Sequence, residues 1–286
     1  MQMNNPLVCV VMPVYNGAKT IELALKSLLM QTYLNWECVI VNDGSTDGTK
    51  SILDSLSDRR FKVIHLEKNI GRGAARQVCL DNSEGKYLAY LDADDFYHRD
   101  KLKMQVDFLE MNPQIDLLGC GLLAFDKNDE PLSVRGKRKI TSCFFRERNK
   151  LPIAMATAMI KSAKGKSVRY NAKLNAGEDE DYLSRYLDGG YYANLDVVLW
   201  YCYIGSTSYI KILKYSFSGL QRGLFLFNRN PLAGLKMFFL SAIKILIYAI
   251  IIPFTGVNFF LKRRGSKVSR KEADEYHKEL LLYKDN

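Results

Sequence analysis

Acidic residues are missing altogether from 197 to 271, a stretch that holds twelve of the chain's 41 lysines and arginines. The 29 basic residues elsewhere face 31 acidic ones, about −2, so the formal charge of +10 belongs to one region of the 286-residue chain. Charge polarised in this way can serve nucleic acid, anionic lipid or an acidic ligand. Here the basic residues sit among Leu, Ile, Phe and Tyr, which suits a lipid interface and argues against a nucleic-acid partner. No CxxC pair occurs among the six cysteines at 9, 38, 79, 120, 143 and 202, and most lie in apolar runs, so they are expected as reduced core residues. No internal repeat or low-complexity segment is present. The polar start through Asn5 leads directly into a strand-like run, which predicts no secretory leader and a cytoplasmic catalytic part.

What is present is an alternation. Strand-like runs at 7–12, 36–41, 61–65, 87–91 and 117–124 are separated by helical patterns at 20–31, 47–57, 71–82 and 99–111. Strand and helix repeated at this spacing predict an α/β fold, a mostly parallel sheet with helices on both faces. Asn42-Asp43-Gly44 supplies turn chemistry after the second strand, Asn112-Pro113 ends the fourth helix, and Asp47 is placed to cap a helix. Ligands of such sheets sit beyond the carboxyl ends of the strands, which gathers 13–16, 42–47, 68–72 and 92–95 on one rim.

Four polar motifs occupy or follow that rim. YLAYLDADD at 87–95 runs an apolar strand into Asp92, Asp94 and Asp95. Three carboxylates so close repel one another unless a cation or basic groups offset them, and Mg²⁺ or Mn²⁺ would do so; a solvated acidic turn is the plain alternative. In VNDGSTDGT at 41–49, Asp43 can accept hydrogen bonds from a base or ribose, or simply belong to a good turn. NIGRGAAR at 69–76 has Arg76 where a dinucleotide fingerprint needs its third glycine, and no GK followed by Ser or Thr exists for a Walker A loop. Arg72 and Arg76 can meet phosphate oxygens at a helix start or form surface ion pairs. GEDEDYLSRYL at 177–187 opens a helical pattern with four carboxylates, which either complement the helix dipole or include a catalytic base.

Taken together, VVMPVYN at 10–16 and these four motifs resemble, in order and spacing, the family-2 glycosyltransferases of GT-A fold over about residues 7–205. The resemblance implies a nucleotide-sugar donor, with Pro13, Tyr15 and Asp43 around the nucleoside and Arg72 and Arg76 available to phosphate. Asp92 and Asp94 match the DxD pair, Asp92 toward ribose or metal and Asp94 toward metal, with Mn²⁺ or Mg²⁺ as cofactor. Asp179 matches the base that deprotonates an acceptor hydroxyl, with Glu178 the runner-up. The QxxRW signature of processive synthases is absent, the only tryptophans being Trp36 and Trp200, so one sugar per acceptor is expected. The histidine often found after the last core strand is absent from YCYIGSTS at 201–208. Two other readings compete: a nucleotidyltransferase, and a membrane-bound protein with a degenerate sugar site.

Beyond 205 the character changes. Lys211, Lys214, Ser218 and Arg222 recur at helical spacing among Ile210, Leu213, Phe217, Leu220 and Leu224, a basic amphipathic helix. Pro231 is expected to break the chain before an apolar run at 237–261 whose only charge is Lys244, followed by Lys262, Arg263 and Arg264. Basic residues on both sides predict an interfacial or re-entrant hairpin kinked near Pro253, rather than a single span. The expected organisation is a catalytic domain at 1–205, a membrane-association region at 206–265 and a charged tail at 266–286. Association with the cytoplasmic face of the plasma membrane would bring a polyisoprenyl-diphosphate-linked acceptor to the rim, as in O-antigen, capsule or exopolysaccharide assembly.

Overall fold

The computed structural model describes residues 5–146, 153–171, 174, 177–205, 209–228 and 231–285. The first half is β1 (Val8–Val14), α1 (Ile21–Leu29), β2 (Trp36–Asn42), α2 (Thr49–Asp54), β3 (Phe61–His65), α3 (Arg72–Asp81) and β4 (Tyr87–Tyr90). Then come β5 (Phe96–Tyr97), α4 (Lys101–Met111), β6 (Leu117–Phe125), β7 (Pro131–Arg135), β8 (Ile140–Phe144) and β9 (Met159–Lys161). The chain continues through α5 (Ser162–Lys166), α6 (Glu178–Leu187) and β10 (Tyr191–Tyr203). It ends in α7 (Tyr209–Phe227), α8 (Pro231–Thr255), α9 (Val257–Arg263) and α10 (Arg270–Asp285).

The strands form one mixed sheet in the order β3-β2-β1-β4-β9-β6-β10-β5, with β7 beside β6 and β8 beside β10. The sheet is parallel from β3 to β4; short antiparallel β9 then stands between β4 and β6. Side chains of β1 alternate between two cores, Val8, Val10, Met12 and Val14 facing α1 and α4, Cys9 and Val11 facing α3 and α6. Both faces are covered, as buried parallel strands require.

Chain direction positions the site. From β1 the chain moves outward to β2 and β3, then returns to add β4 on the other side of β1, which makes β1/β4 the switch point where crevices form. Pairing of β1 with β4 ends at Val11–Tyr90, whereas pairing with β2 continues to Val14–Asn42. Pro13, which has no N–H to donate, falls where β4 has already diverged, so the strand end splays open at little cost.

The last segment, read from sequence as a charged tail, is a helix whose inner face is apolar. Tyr276, Leu280 and Tyr283 of α10 pack with Phe96, Phe125 and Tyr201 into a third core. α7 and α8 form a helical hairpin in which Gly223 and Gly234 face one another, a Cβ on Gly223 coming within 2.8 Å of Phe238 N. The apolar helix begins at Pro231 itself, with proline at a first helical position where its missing N–H costs nothing. It also runs through Pro253, and the break falls at Gly256 (φ 76°), so the expected kink lies three residues later than predicted. Among the described residues α8 alone is long and apolar enough to cross a membrane, and 11% of its apolar window is buried. The side chains of Lys211, Lys214, Ser218 and Arg222, and residues 206–208 of YCYIGSTS, lie outside the described residues.

Candidate active site

A cavity of about 880 Å³ opens at the switch point. One wall is the turn after β1, Tyr15 to Gly17 with Lys19 and Thr20; a second is Asp43 and Asp47 after β2 with Asn69, Gly71 and Arg72 after β3. Asp92 to Asp95 after β4 and Cys202 with Tyr203 at the end of β10 complete it.

The first two walls are clamped together. Asn16, at φ 52°, accepts the N–H of Thr46 on its side-chain oxygen (2.8 Å) and donates its own N–H to Ser45 Oγ (2.9 Å). Asp47 accepts the N–H groups of Ala18 (3.1 Å) and Thr49 (3.0 Å), so its carboxylate serves the start of α2 as expected, although the residue flanking the helix is Gly48. Asp43, 2% exposed, accepts the N–H of Ile70 (2.7 Å) and of Gly71 (3.1 Å), one on each oxygen. It thus fixes the β3–α3 loop and meets the cavity with the lone pairs that remain.

The aspartates of LDADD separate. Asp92 and Asp94 line the cavity. Asp95 is buried, accepting Trp200 Nε1–H (2.9 Å) and the N–H of Tyr203 (2.7 Å). Burial, reinforced by the charges of Asp94 and Asp92, lifts its carboxyl well above the usual range. Among the described residues no three His, Cys, Asp or Glu side chains gather as a coordination set. The protein offers two carboxylates on one turn, which fits a hard divalent ion that completes its shell with phosphate oxygens and water. Asp92 and Asp94 would be its holders.

Arg76 corrects an expectation. Rather than reaching toward phosphate, its side chain is 3% exposed and turned into a cluster of carboxylates. Its guanidinium donates to Asp92 Oδ1 (2.7 Å), Asp179 Oδ1 (2.5 Å) and Glu178 Oε1 (3.4 Å). Burial works against its charge, but Asp179 and Asp92 outweigh burial and raise its pKa. Arg72, on the rim, donates Nε–H to Glu178 Oε1 (2.6 Å) and alone of the two arginines lines the cavity. Glu178, the runner-up base, is 2% exposed beneath both guanidiniums, whereas Asp179 keeps 32% of its side chain exposed. Burial, with Glu178 and Asp92 adding and Arg76 and Arg72 opposing, lifts the Asp179 carboxyl to about 6. Among the described residues Arg76 Nε and Glu178 Oε2 have no hydrogen-bond partner.

Pro13, Tyr15, Asp43, Arg72, Asp92 and Asp94 therefore share the cavity, and Asp179 is joined to it through one guanidinium. Sequence reasoning put Asn16 and Asn69 on the rim without a role and passed over Lys19, Cys202 and Tyr203 as lining residues. Cys202 was hidden inside an apolar run, and Lys19 carries no pattern of its own.

The mixed sheet carries a ligand-sized cavity at its switch point and two carboxylates on its rim, the arrangement expected of a GT-A fold. Residues 9–163 match Glycosyl transferase family 2, and the chain belongs to that family. It is 37% identical over 110 residues to UDP-Glc:alpha-D-GlcNAc-diphosphoundecaprenol beta-1,3-glucosyltransferase WfgD of Escherichia coli, covering 38% of this chain and 44% of WfgD. The chain spans about half or less of the length of the curated relatives it matches first. In fold it is similar to S. aureus TarS (residues 1–349) in complex with UDP-GlcNAc, with a TM-score of 0.62, 22% identity and coverage of 96% of this chain and 80% of that one. It is similar also to mannosyltransferase PcManGT from Pyrobaculum calidifontis in complex with GDP-Man and Mn²⁺, with a TM-score of 0.58, 16% identity and coverage of 99% and 83%.

Proposed function

We propose that this glycosyltransferase is inverting, metal-dependent and non-processive. It moves a sugar from a nucleotide-sugar, a UDP-sugar by preference, to a lipid-linked glycan acceptor at the cytoplasmic face of the plasma membrane. Assembly of a surface polysaccharide such as O-antigen, capsule or exopolysaccharide is the setting. The observation that carries this reading is the convergence of Asp92 and Asp94 on one cavity with Asp179 a single guanidinium away.

Pro13, Tyr15 and Asp43 hold the nucleoside, and Arg72 and Lys19 face the diphosphate. Asp179 accepts the proton of the acceptor hydroxyl as its oxygen forms a bond to the anomeric carbon. The bond from that carbon to the β-phosphate oxygen breaks on the opposite face, and the nucleoside diphosphate leaves with the electron pair. Asp92 and Asp94 would hold a divalent ion, which would supply Lewis-acid stabilisation of the charge gathering on the diphosphate. WfgD, by its name, uses a UDP-sugar and a diphosphoundecaprenol-linked acceptor, and the PcManGT complex contains Mn²⁺, both of which support the reading.

The test is a transfer assay with UDP-, GDP- and dTDP-sugars, Mn²⁺ and a polyprenyl-diphosphate-linked acceptor, with mass spectrometry of lipid-linked intermediates in cells with and without the protein. Nucleoside diphosphate release is expected, lost by about 100-fold or more in folded D179N and D94A. Wild-type transfer by D179N, or pyrophosphate release from a nucleoside triphosphate, would overturn it.

A further inference from the structure

Arg76 forms no surface ion pair: it is buried, and its three partners come from two places far apart in the chain. Asp92 follows β4 in the cavity wall, while Glu178 and Asp179 open α6. The α3 helix sets Ala75 in the cavity wall and turns Arg76 directly behind it. One NH group reaches Asp92 at 2.7 Å, the other reaches Asp179 at 2.5 Å, and Glu178, at 3.4 Å, is shared with Arg72.

We propose that Arg76 is a positioning residue that couples the donor-side carboxylate Asp92 to Asp179, so that a change at either carboxylate is felt at the other. The guanidinium is planar and rigid, and its two terminal nitrogens move together. Drawing one nitrogen toward its carboxylate shifts the other, and the guanidinium between them is itself buried. A lysine, carrying its charge on a single atom, can satisfy one of these partners but cannot bridge them. The inference rests on the assignment of Asp92 to the donor side and of Asp179 to the acceptor side.

The test is calorimetric titration of Mn²⁺ and UDP into the full chain as wild type, D179N, R76K and the D179N/R76K double variant. Neutralising Asp179 releases Arg76 onto Asp92 and weakens Mn²⁺–UDP binding about tenfold, but no more than about threefold in the R76K background, where only the direct charge effect remains. An arginine that merely staples α3 to α6 predicts the same factor in both backgrounds, which would overturn the proposal. If R76K does not fold, Glu178→Gln serves, because it keeps Arg76 and lies outside the cavity lining. Because Glu178 also holds Arg72, Mn²⁺ is then titrated without UDP; its binding is expected to weaken at least about threefold, and an unchanged affinity counts against coupling. In the transfer assay R76K is further expected to lower the ratio of sugar transfer to donor hydrolysis about tenfold, while R76K with a wild-type ratio overturns the proposal. Failure of the catalytic assignment has a different signature, wild-type transfer by D179N.

Discussion

At Asp95 both carboxylate oxygens are spent on donors, Trp200 Nε1–H and the N–H of Tyr203, and both donors belong to β10. The residue therefore ties the turn bearing Asp92 and Asp94 to the far half of the sheet. An asparagine could accept one of these bonds but would turn its NH₂ toward the other donor, leaving two N–H groups face to face in a buried place. D95N is expected to cost about 1–3 kcal/mol, read as a Tm lower by about 5 °C in a scanning melt, and to raise the donor KM. Asp179 makes a prediction of the opposite kind, about protons rather than stability. A general base works only when ionised, and the cause that dominates here, burial, favours the protonated form and puts the carboxyl at about 6. Transfer should therefore be full above that pH and decline as pH falls through about 6, one proton per active site. A pH profile of kcat/KM flat down to 4.5 would remove Asp179 from the role.

Among elements, the turn after β2 is the most constrained. Gly44 stands at φ 65°, and a Cβ there would lie 2.5 Å from Asn69 N, against the backbone of the β3–α3 loop. That loop presents the Ile70 and Gly71 N–H groups to Asp43, so the two turns must touch for Asp43 to be held. G44A combines a left-handed backbone with a backbone clash and is expected to cost more than about 2 kcal/mol and to abolish UDP binding by calorimetry. The parallel half of the sheet was legible because its strands are continuous apolar runs: 61–65 matches β3 outright, and 36–41 misses only Asn42 of β2. Motif spacing likewise gave Asp43, Asp92 and Asp94 their places on the cavity wall. β9 was not legible, since three residues carry no periodicity and their strand identity comes from the two neighbours they bridge. Nor was the direction of Arg76. A charge four residues into a helix is usually solvated, and partners 16, 102 and 103 positions away turn it inward. For the same reason α10 read as a tail: Glu279 pairs with Arg99 across 180 positions, beyond any local pattern.

For the whole molecule, the question is how an acid-free region relates to a cavity at the other end of the chain. The excursion from α7 to α9 begins and ends on the β6–β7 hairpin. Ile204 donates its N–H to Phe125 O (2.9 Å), and Val134 exchanges two backbone hydrogen bonds with Ser266 (3.0 and 2.9 Å). β10 ends there too, with Cys202 and Tyr203 in the cavity wall, so the apolar hairpin is rooted on the rim that carries the site. Leu246 (63% exposed) and Ile250 (64%) lie one turn apart on α8, and Lys262, Arg263 and Arg264 are exposed beyond it. Burying two such aliphatic side chains in lipid is worth about 1.5–3 kcal/mol each, and each nearby basic residue adds about 1 kcal/mol on an anionic surface. L246E/I250E should therefore lower the fraction floating with phosphatidylglycerol-containing liposomes by a partition factor of about 100 or more, with Tm and donor hydrolysis in solution unchanged. Wild-type protein should also bind neutral liposomes less than anionic ones, the gap closing as salt is raised. If the double variant floats like wild type, the exposed face of α8 is not the membrane contact. Proximity of the cavity to lipid would then have to come from somewhere other than this hairpin.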